Sequence, residues 1–156
     1  MIIAGNEYRT NVKELDLQGM ALTKNDMKKL ANFKNLETIY LMWCRIEDLS
    51  PIGKVTSLKD IGLGQSYISD ISGLSTLVNL EAASLECNNI TDVKPLKNLK
   101  KLKSLVLSGN DIKDYTPLKS LTNLKSLNIY NVNGVPEDQV AVLKKALPNC
   151  DIFYKI

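Results

Sequence analysis

The side chains able to do chemistry in this chain are few, and their spacing says more than their number. Histidine is absent, so the commonest general base and the commonest metal ligand are both missing. The three cysteines, Cys44, Cys87 and Cys150, match no metal-binding spacing. Asp48, Asp70, Asp92 and Asp114 recur every 22 residues. Carboxylates in register suggest calcium, but one per strand spacing of about 4.8 Å, with no second acidic column and no glycine-rich aspartate loop, makes a poor oxygen cage. Helix capping is the stronger reading: in three of the four cases a proline, Pro51, Pro95 or Pro117, follows three residues on, as suits one tight helical turn whose free N–H groups a carboxylate caps. Lys94, Lys97, Lys100, Lys101 and Lys103 form a basic cluster without arginine or interleaved aromatics. That favours a solvated surface over a nucleic-acid site. No catalytic residue, metal or cofactor is expected. What remains is the group Tyr40, Met42 and Trp43, which includes the only tryptophan of the chain.

These residues are positioned by a repeat. Leu36, Leu58, Leu80, Leu102 and Leu124 stand 22 residues apart and open successive copies, four regular ones over 36–123 and an altered one after them. Position 4 of each copy is Ile39, Ile61, Ala83, Leu105 and Leu127, position 6 is Leu41, Leu63, Leu85, Leu107 and Ile129, and position 11 is Ile46, Ile68, Ile90 and Ile112. A fixed period of this length marks a solenoid, whose units bury their apolar sides only against one another. The alternation at positions 1 to 7 predicts a short strand. A 22-residue unit has little room for a full α-helix after a strand and two turns, so a 3₁₀ turn is expected on the convex side. Position 9 is Cys44, Ser66, Asn88 and Asn110, small groups pointing inward where buried main-chain atoms need partners. Cys44 and Cys87 lie two repeats apart, roughly 10 Å by strand spacing, beyond the reach of a disulfide. All three thiols are expected reduced.

The ends differ. Val12, Leu15 and Leu17 reproduce positions 1, 4 and 6 in a longer first unit. Thr23 and Asp26 form a capping-box pattern, predicting a helix over 24–31 that plugs the first exposed end of the core. Pro136, Val140, Leu143 and Leu147 predict a second helix, stopped at Pro148, with a closing strand at Ile152–Tyr154. The chain therefore divides into 1–35, cap and first repeat; 36–123, four repeats; and 124–156, last repeat and cap, all within one domain. A net charge of +3 is mild, and no apolar run of membrane-spanning length occurs. Met1–Gly5 is too short for a leader's apolar region, which leaves a cytosolic protein or one whose leader has been removed.

The pattern Leu-x-x-Leu-x-Leu-x-x-Asn-x-Ile-x-Asp-x-x-Pro-Leu, met in full by Leu102 to Leu118, resembles the bacterial internalin-type leucine-rich repeat. Residues 143–150, Leu-Lys-Lys-Ala-Leu-Pro-Asn-Cys, are similar to the terminal cap of related domains. Cys44 and Ser66 in the asparagine column and Gly73 in the proline column depart from it. The resemblance implies a protein-binding scaffold, secreted or at a bacterial surface.

The expected fold is an α/β right-handed solenoid with six parallel concave strands, short convex 3₁₀ turns and a helix at each end. Outward positions 3, 5, 7 and 8 line the concave sheet and include Tyr40, Met42, Trp43, Gln65, Glu86, Cys87, Val106, Tyr130 and Asn131. Aromatic and methionine side chains outside a core are enriched at interface centres. The first expectation is a non-catalytic module that recognises a protein or peptide, with Tyr40, Met42 and Trp43 as anchor and Gln65, Glu86, Val106 and Tyr130 extending the footprint. The alternative is an adhesion module that stacks glycan on the same aromatics. Nucleic acid and membrane insertion are not expected, and the domain is expected to be a monomer.

Overall fold

The computed structural model of the chain describes residues 1–155. A hairpin comes first, strand β1 (Ile2–Ile3) against β2 (Asn6–Glu7). Ala4 and Gly5 both take positive φ, 47° and 81°, as a type I′ turn requires. Then follow β3 (Glu14–Asp16), helix α1 (Lys24–Lys29), β4 (Thr38–Tyr40), β5 (Asp60–Gly62), β6 (Ala82–Ser84), β7 (Ser104–Val106), β8 (Ser126–Asn128), helix α2 (Glu137–Ala146) and β9 (Asp151–Phe153). Strands β3 to β9 form one parallel sheet in chain order. The register runs column on column: Leu15, Ile39, Ile61, Ala83, Leu105, Leu127 and Ile152 face one another in succession. The sheet thus has seven strands rather than the expected six, because the closing segment returns after α2 and pairs with β8.

Convex 3₁₀ turns occupy Ser50–Lys54, Ser72–Thr76, Lys94–Asn98 and Thr116–Ser120. Each is preceded by its repeating aspartate, whose Oδ1 accepts the N–H two residues on: Ser50 at 2.9 Å, Ser72 at 2.7 Å, Lys94 at 2.8 Å and Thr116 at 2.9 Å. These carboxylates therefore act as caps. At Gly73 a Cβ would lie 2.9 Å from Leu49 O, so a side chain is excluded where the proline column breaks.

The leucine columns are fully buried. Position 9 stitches the turns together from within. The amide of Asn88 accepts from the Ser66 and Ile68 N–H groups at 3.0 Å each and donates to Leu63 O at 2.8 Å. Asn110 repeats this one turn later, accepting from Ile90 N–H at 3.0 Å and donating to Leu85 O at 2.9 Å. Ser66 donates to Leu41 O at 2.7 Å, and the Cys44 thiol lies 3.1 Å from Leu17 O. The two departures from asparagine therefore keep the ladder going with shorter donors. Asn131, expected on the concave surface, is buried and donates to Asn110 O at 2.5 Å, ending the same ladder. Burial pushes the Cys44 thiol upward, and all three cysteines are unpaired.

Both ends are capped. The Thr23 hydroxyl accepts from Asp26 N–H at 3.1 Å while Asp26 accepts from Thr23 N–H at 3.1 Å, a complete capping box. The helix is shorter than 24–31: its last turn, Leu30–Asn32, tightens to 3₁₀. At the other end Gln139 of α2 accepts from Tyr115 N–H at 2.7 Å and donates to Lys113 O at 3.0 Å, which clips the helix to the last convex turn. Tyr115 itself is among the largest fully buried side chains.

Candidate functional site

The concave face is made by side chains at alternate strand positions, those that the register leaves pointing away from the leucine columns. On β4 to β8 the middle row reads Tyr40, Gly62, Ser84, Val106 and Asn128, and Phe153 follows on β9. Gly62 is the floor on which Tyr40 and Met42 rest. A Cβ there would lie 3.1 Å from Tyr40 Cδ1 and 3.5 Å from Met42 Sδ, so both side chains lean over the neighbouring strand. Tyr40 and Met42 are half-buried for that reason, while Trp43 stays 59% exposed. From the other side Glu86 folds over Gly64, where a Cβ would come within 2.4 Å of Glu86 Oε1, and Ser84 Oγ donates to Glu86 Oε2 at 2.6 Å.

Trp43, Gln65 and Cys87 share a second property. Each stands at position 8 and adopts a left-handed backbone, with φ of 58°, 56° and 53°. The same position in the first and fifth units is Gly19, φ 69°, and Gly109, φ 71°. Glycine takes this conformation freely, whereas other L-residues bear about 1–2 kcal/mol of steric cost. Tyr67, two positions further on, is also left-handed at φ 59°. Trp43, Gln65, Tyr67 and Cys87 together line one shallow depression of about 320 Å³. Every non-glycine residue with positive φ in the repeats therefore borders this hollow. Tyr67 is 75% exposed and also borders a larger gap of about 610 Å³ with Arg45, Glu47, Asp48 and Asp70. Sequence reasoning missed Tyr67 because position 10 lies beyond the strand. The available signal was a bulky aromatic where the other copies carry Arg45, Asn89 and Asp111.

Of the sequence-predicted residues, Tyr40, Met42, Trp43, Gln65 and Glu86 fall on the adjoining units headed by β4, β5 and β6. Val106 and Tyr130 lie on the same face but further along the sheet. Tyr130 is four strands from Tyr40, roughly 19 Å at the spacing of paired strands. They extend a surface and do not close a pocket.

The charge of the face is uneven. Strand positions 3, 5 and 7 of the six units from β3 to β8 carry Glu14, Asp16, Asp60 and Glu86 and no lysine or arginine. Burial, then Asp60, Glu14 and Asp16, push the Tyr40 phenol upward. Burial also pushes the Asp60 carboxyl upward, with Glu14 adding to it. The lysines keep to the edge at position 2, where Glu37 bridges Lys13 at 3.0 Å and Lys59 at 2.6 Å, and Glu81 meets Lys103 at 2.5 Å. Charge alternates along this edge through Lys13, Glu37, Lys59, Glu81 and Lys103, and Lys59 leans to Glu37 rather than Glu81. Among the described residues no cluster of acids and thiols is grouped to hold a metal ion, and no helix is long and apolar enough to cross a membrane.

The Leucine Rich repeats family model matches twice, at residues 78–116 and 100–145. Among curated proteins no sequence matches. Among solved structures, an internalin (inlF) of Listeria monocytogenes is similar at 25% identity and a TM-score of 0.62, over 91% of this chain and 47% of that one. Internalin C2 (inlC2) of the same organism is similar at 22% identity and TM-score 0.70, over 90% of this chain and 70% of that one. A leucine-rich-repeat protein of Leptospira interrogans is similar at 24% identity and TM-score 0.62, over 80% and 38%. The chain spans about half the length of the first internalin, 47%. Leucine-rich-repeat proteins generally serve as protein-binding scaffolds, their curvature presenting a long concave surface. Repeat spacing, parallel sheet and these likenesses agree: the chain has the leucine-rich-repeat fold, and its solenoid is similar to those of bacterial internalins.

Proposed function

We propose that this domain is a non-catalytic scaffold that recognises a protein or peptide on its concave sheet. Tyr40, Met42 and Trp43 form the anchor, and Gln65, Glu86, Val106 and Tyr130 extend the footprint. The observation that carries this reading is the concentration of left-handed side chains, including the exposed Trp43 and Tyr67, around one depression at the rim of that face. Non-glycine residues are held in such conformations where the surrounding structure over-determines them, and such strain clusters at functional sites. Trp and Tyr supply large contact area at low entropic cost, and such residues dominate interface energetics.

Stacking of a glycan on Trp43 and Tyr67 is the second reading, supported by the same exposed ring faces. A random-peptide display library and a glycan array, each presented to the domain and to the Tyr40→Ala, Trp43→Ala double variant, separate the two. Peptide capture that falls at least about tenfold in the variant, with its melting temperature nearly unchanged, is the expected result. Capture of oligosaccharide alone, or peptide capture indifferent to both substitutions, removes these residues from a protein-binding site.

A further inference from the structure

A scaffold for proteins leaves open what kind of segment it accepts, and the charge pattern of the face bears on that. The chain as a whole carries +3, yet the inner rows of its concave sheet hold four carboxylates, Glu14, Asp16, Asp60 and Glu86, and no cation from β3 to β8. All four belong to the units headed by β3 to β6, the part of the sheet that also holds Tyr40, Met42 and Trp43. The lysines that would neutralise them stand at the edge, and Lys13, Lys59 and Lys103 are taken up by Glu37 and Glu81. Glu86 has folded onto the bare backbone at Gly64 and is held by the Ser84 hydroxyl, not by a cation. The rim depression adds two ring systems, Trp43 and Tyr67, and the gap on the far side of Tyr67 is lined by Glu47, Asp48 and Asp70 alongside Arg45, with Lys24 3.6 Å from Glu47.

We propose that the N-terminal half of the concave sheet docks a basic, extended protein segment, one lysine or arginine side chain lying in the Trp43–Tyr67 depression and others facing Asp16, Asp60 and Glu86. This rests on the concave-face reading above and names the chemistry of its partner. A cation over the face of Trp or Tyr is attracted by the ring quadrupole, most strongly for Trp, and arginine is enriched at interface cores. Carboxylates around the ring pair select the same sign of charge. Exposed charge pairs add little affinity individually, so the carboxylates act chiefly by steering encounter and rejecting acidic partners, while the ring pair holds the bound cation. A neutral sugar would stack on the rings and donate hydroxyl hydrogen bonds to the acids, but would gain no ion pairing from them. An acidic segment would be repelled from the units headed by β3 to β6.

The test uses the full chain and three fluorescein-labelled peptides of equal length, alternating glycine with lysine and arginine, with serine, or with glutamate. Binding is read by anisotropy and by the emission of Trp43, the only tryptophan. The expected result is that the basic peptide binds at least about tenfold tighter than the serine peptide and quenches Trp43. Its association slows with added salt. Trp43→Ala and Tyr67→Ala weaken it severalfold, and Asp16→Lys with Asp60→Lys moves the preference toward the glutamate peptide. A random-peptide library panned in parallel keeps this outcome apart from that of the parent reading. Enriched peptides that lose binding in the Tyr40→Ala, Trp43→Ala variant but carry no excess of lysine or arginine overturn the basic-segment proposal and leave the concave scaffold standing. Basic peptides whose binding ignores every one of these substitutions overturn the proposal. Enrichment of no peptide, with oligosaccharide quenching Trp43 instead, overturns both.

Discussion

Units headed by β4 to β6 and the unit headed by β7 share one backbone and carry different side chains. At position 8 the main-chain bonds are the same throughout: Trp43 N–H to Gly64 O at 3.1 Å, Gln65 N–H to Glu86 O at 2.9 Å, Cys87 N–H to Ser108 O at 2.8 Å, Gly109 N–H to Tyr130 O at 3.0 Å. The left-handed turn is thus imposed by the stacking of one repeat on the next. Gly109 satisfies it without strain, while Trp43, Gln65 and Cys87 satisfy it at a cost. Around them the first part of the face offers Asp16, Tyr40, Met42, Asp60 and Glu86, where the later part offers Ser104, Ser108, Ser126 and Asn128. Architecture is repeated along the solenoid, and the acidic side chains of its concave face are concentrated in one stretch of it.

If the two stretches differ only at the surface, their cores should respond alike. Leu63→Ala and Leu107→Ala each remove a fully buried column residue and should each cost about 2–5 kcal/mol in urea unfolding. A loss at one site and none at the other would mean that the halves do not share a continuous core. The strained column should respond in opposite directions. Gly109→Gln places a side chain at φ 71°, with its Cβ 3.1 Å from Cys87 Sγ, and should cost about 1–2 kcal/mol. Gln65→Gly relieves the mirror strain and should stabilise by up to about 1 kcal/mol, reduced by the entropy that glycine adds to the unfolded chain. Equal and small effects from both would refute the claim that side chains there are held against their backbone preference.

Acid sharpens a third contrast, between the N-terminal cap and the concave face. The Lys29 ammonium and then the Thr23 hydroxyl hold the Asp26 carboxyl well below the usual carboxylate range. Its folded pKa lies below the unfolded one, so its stabilisation is complete above the unfolded value, about 3.9, and is lost as pH falls toward the folded value. Asp26→Asn should cost about 1 kcal/mol at neutral pH and flatten the acid limb of a stability profile. Asp60 has the opposite sign. Burial raises its folded pKa, so its unfavourable contribution is present at neutral pH and is relieved as pH falls through that value. Asp60→Asn should therefore leave neutral-pH stability unchanged or slightly improved. A clear destabilisation would instead make Asp60 a structural residue.

The repeat could be read from the residues because its cause is local and periodic. Leucine, isoleucine and asparagine columns specify strand, turn and ladder in every copy, and the Thr23–Asp26 pair specifies a cap within four residues. Residues outside the period were harder to place. Ile152 pairs with Leu127 only after α2 has brought the chain back, a contact no periodicity predicts. Asn131 sits one position earlier than the asparagine column and still reaches Asn110 O, because the last turn no longer follows the regular unit.

Sequence alone determined the solenoid, its spacing, its aliphatic core and the side of the sheet on which Tyr40 stands, since a period of two in a strand leaves no freedom about which face a side chain takes. Tertiary structure decided how far each of them is exposed. Met42 and Tyr40 are drawn onto Gly62, Glu86 settles on Gly64, and Trp43 is left standing beside Tyr67 at the rim. Those outcomes depend on which side chains are missing one strand away, and stacking across strands joins residues that lie 22 or more apart in the chain.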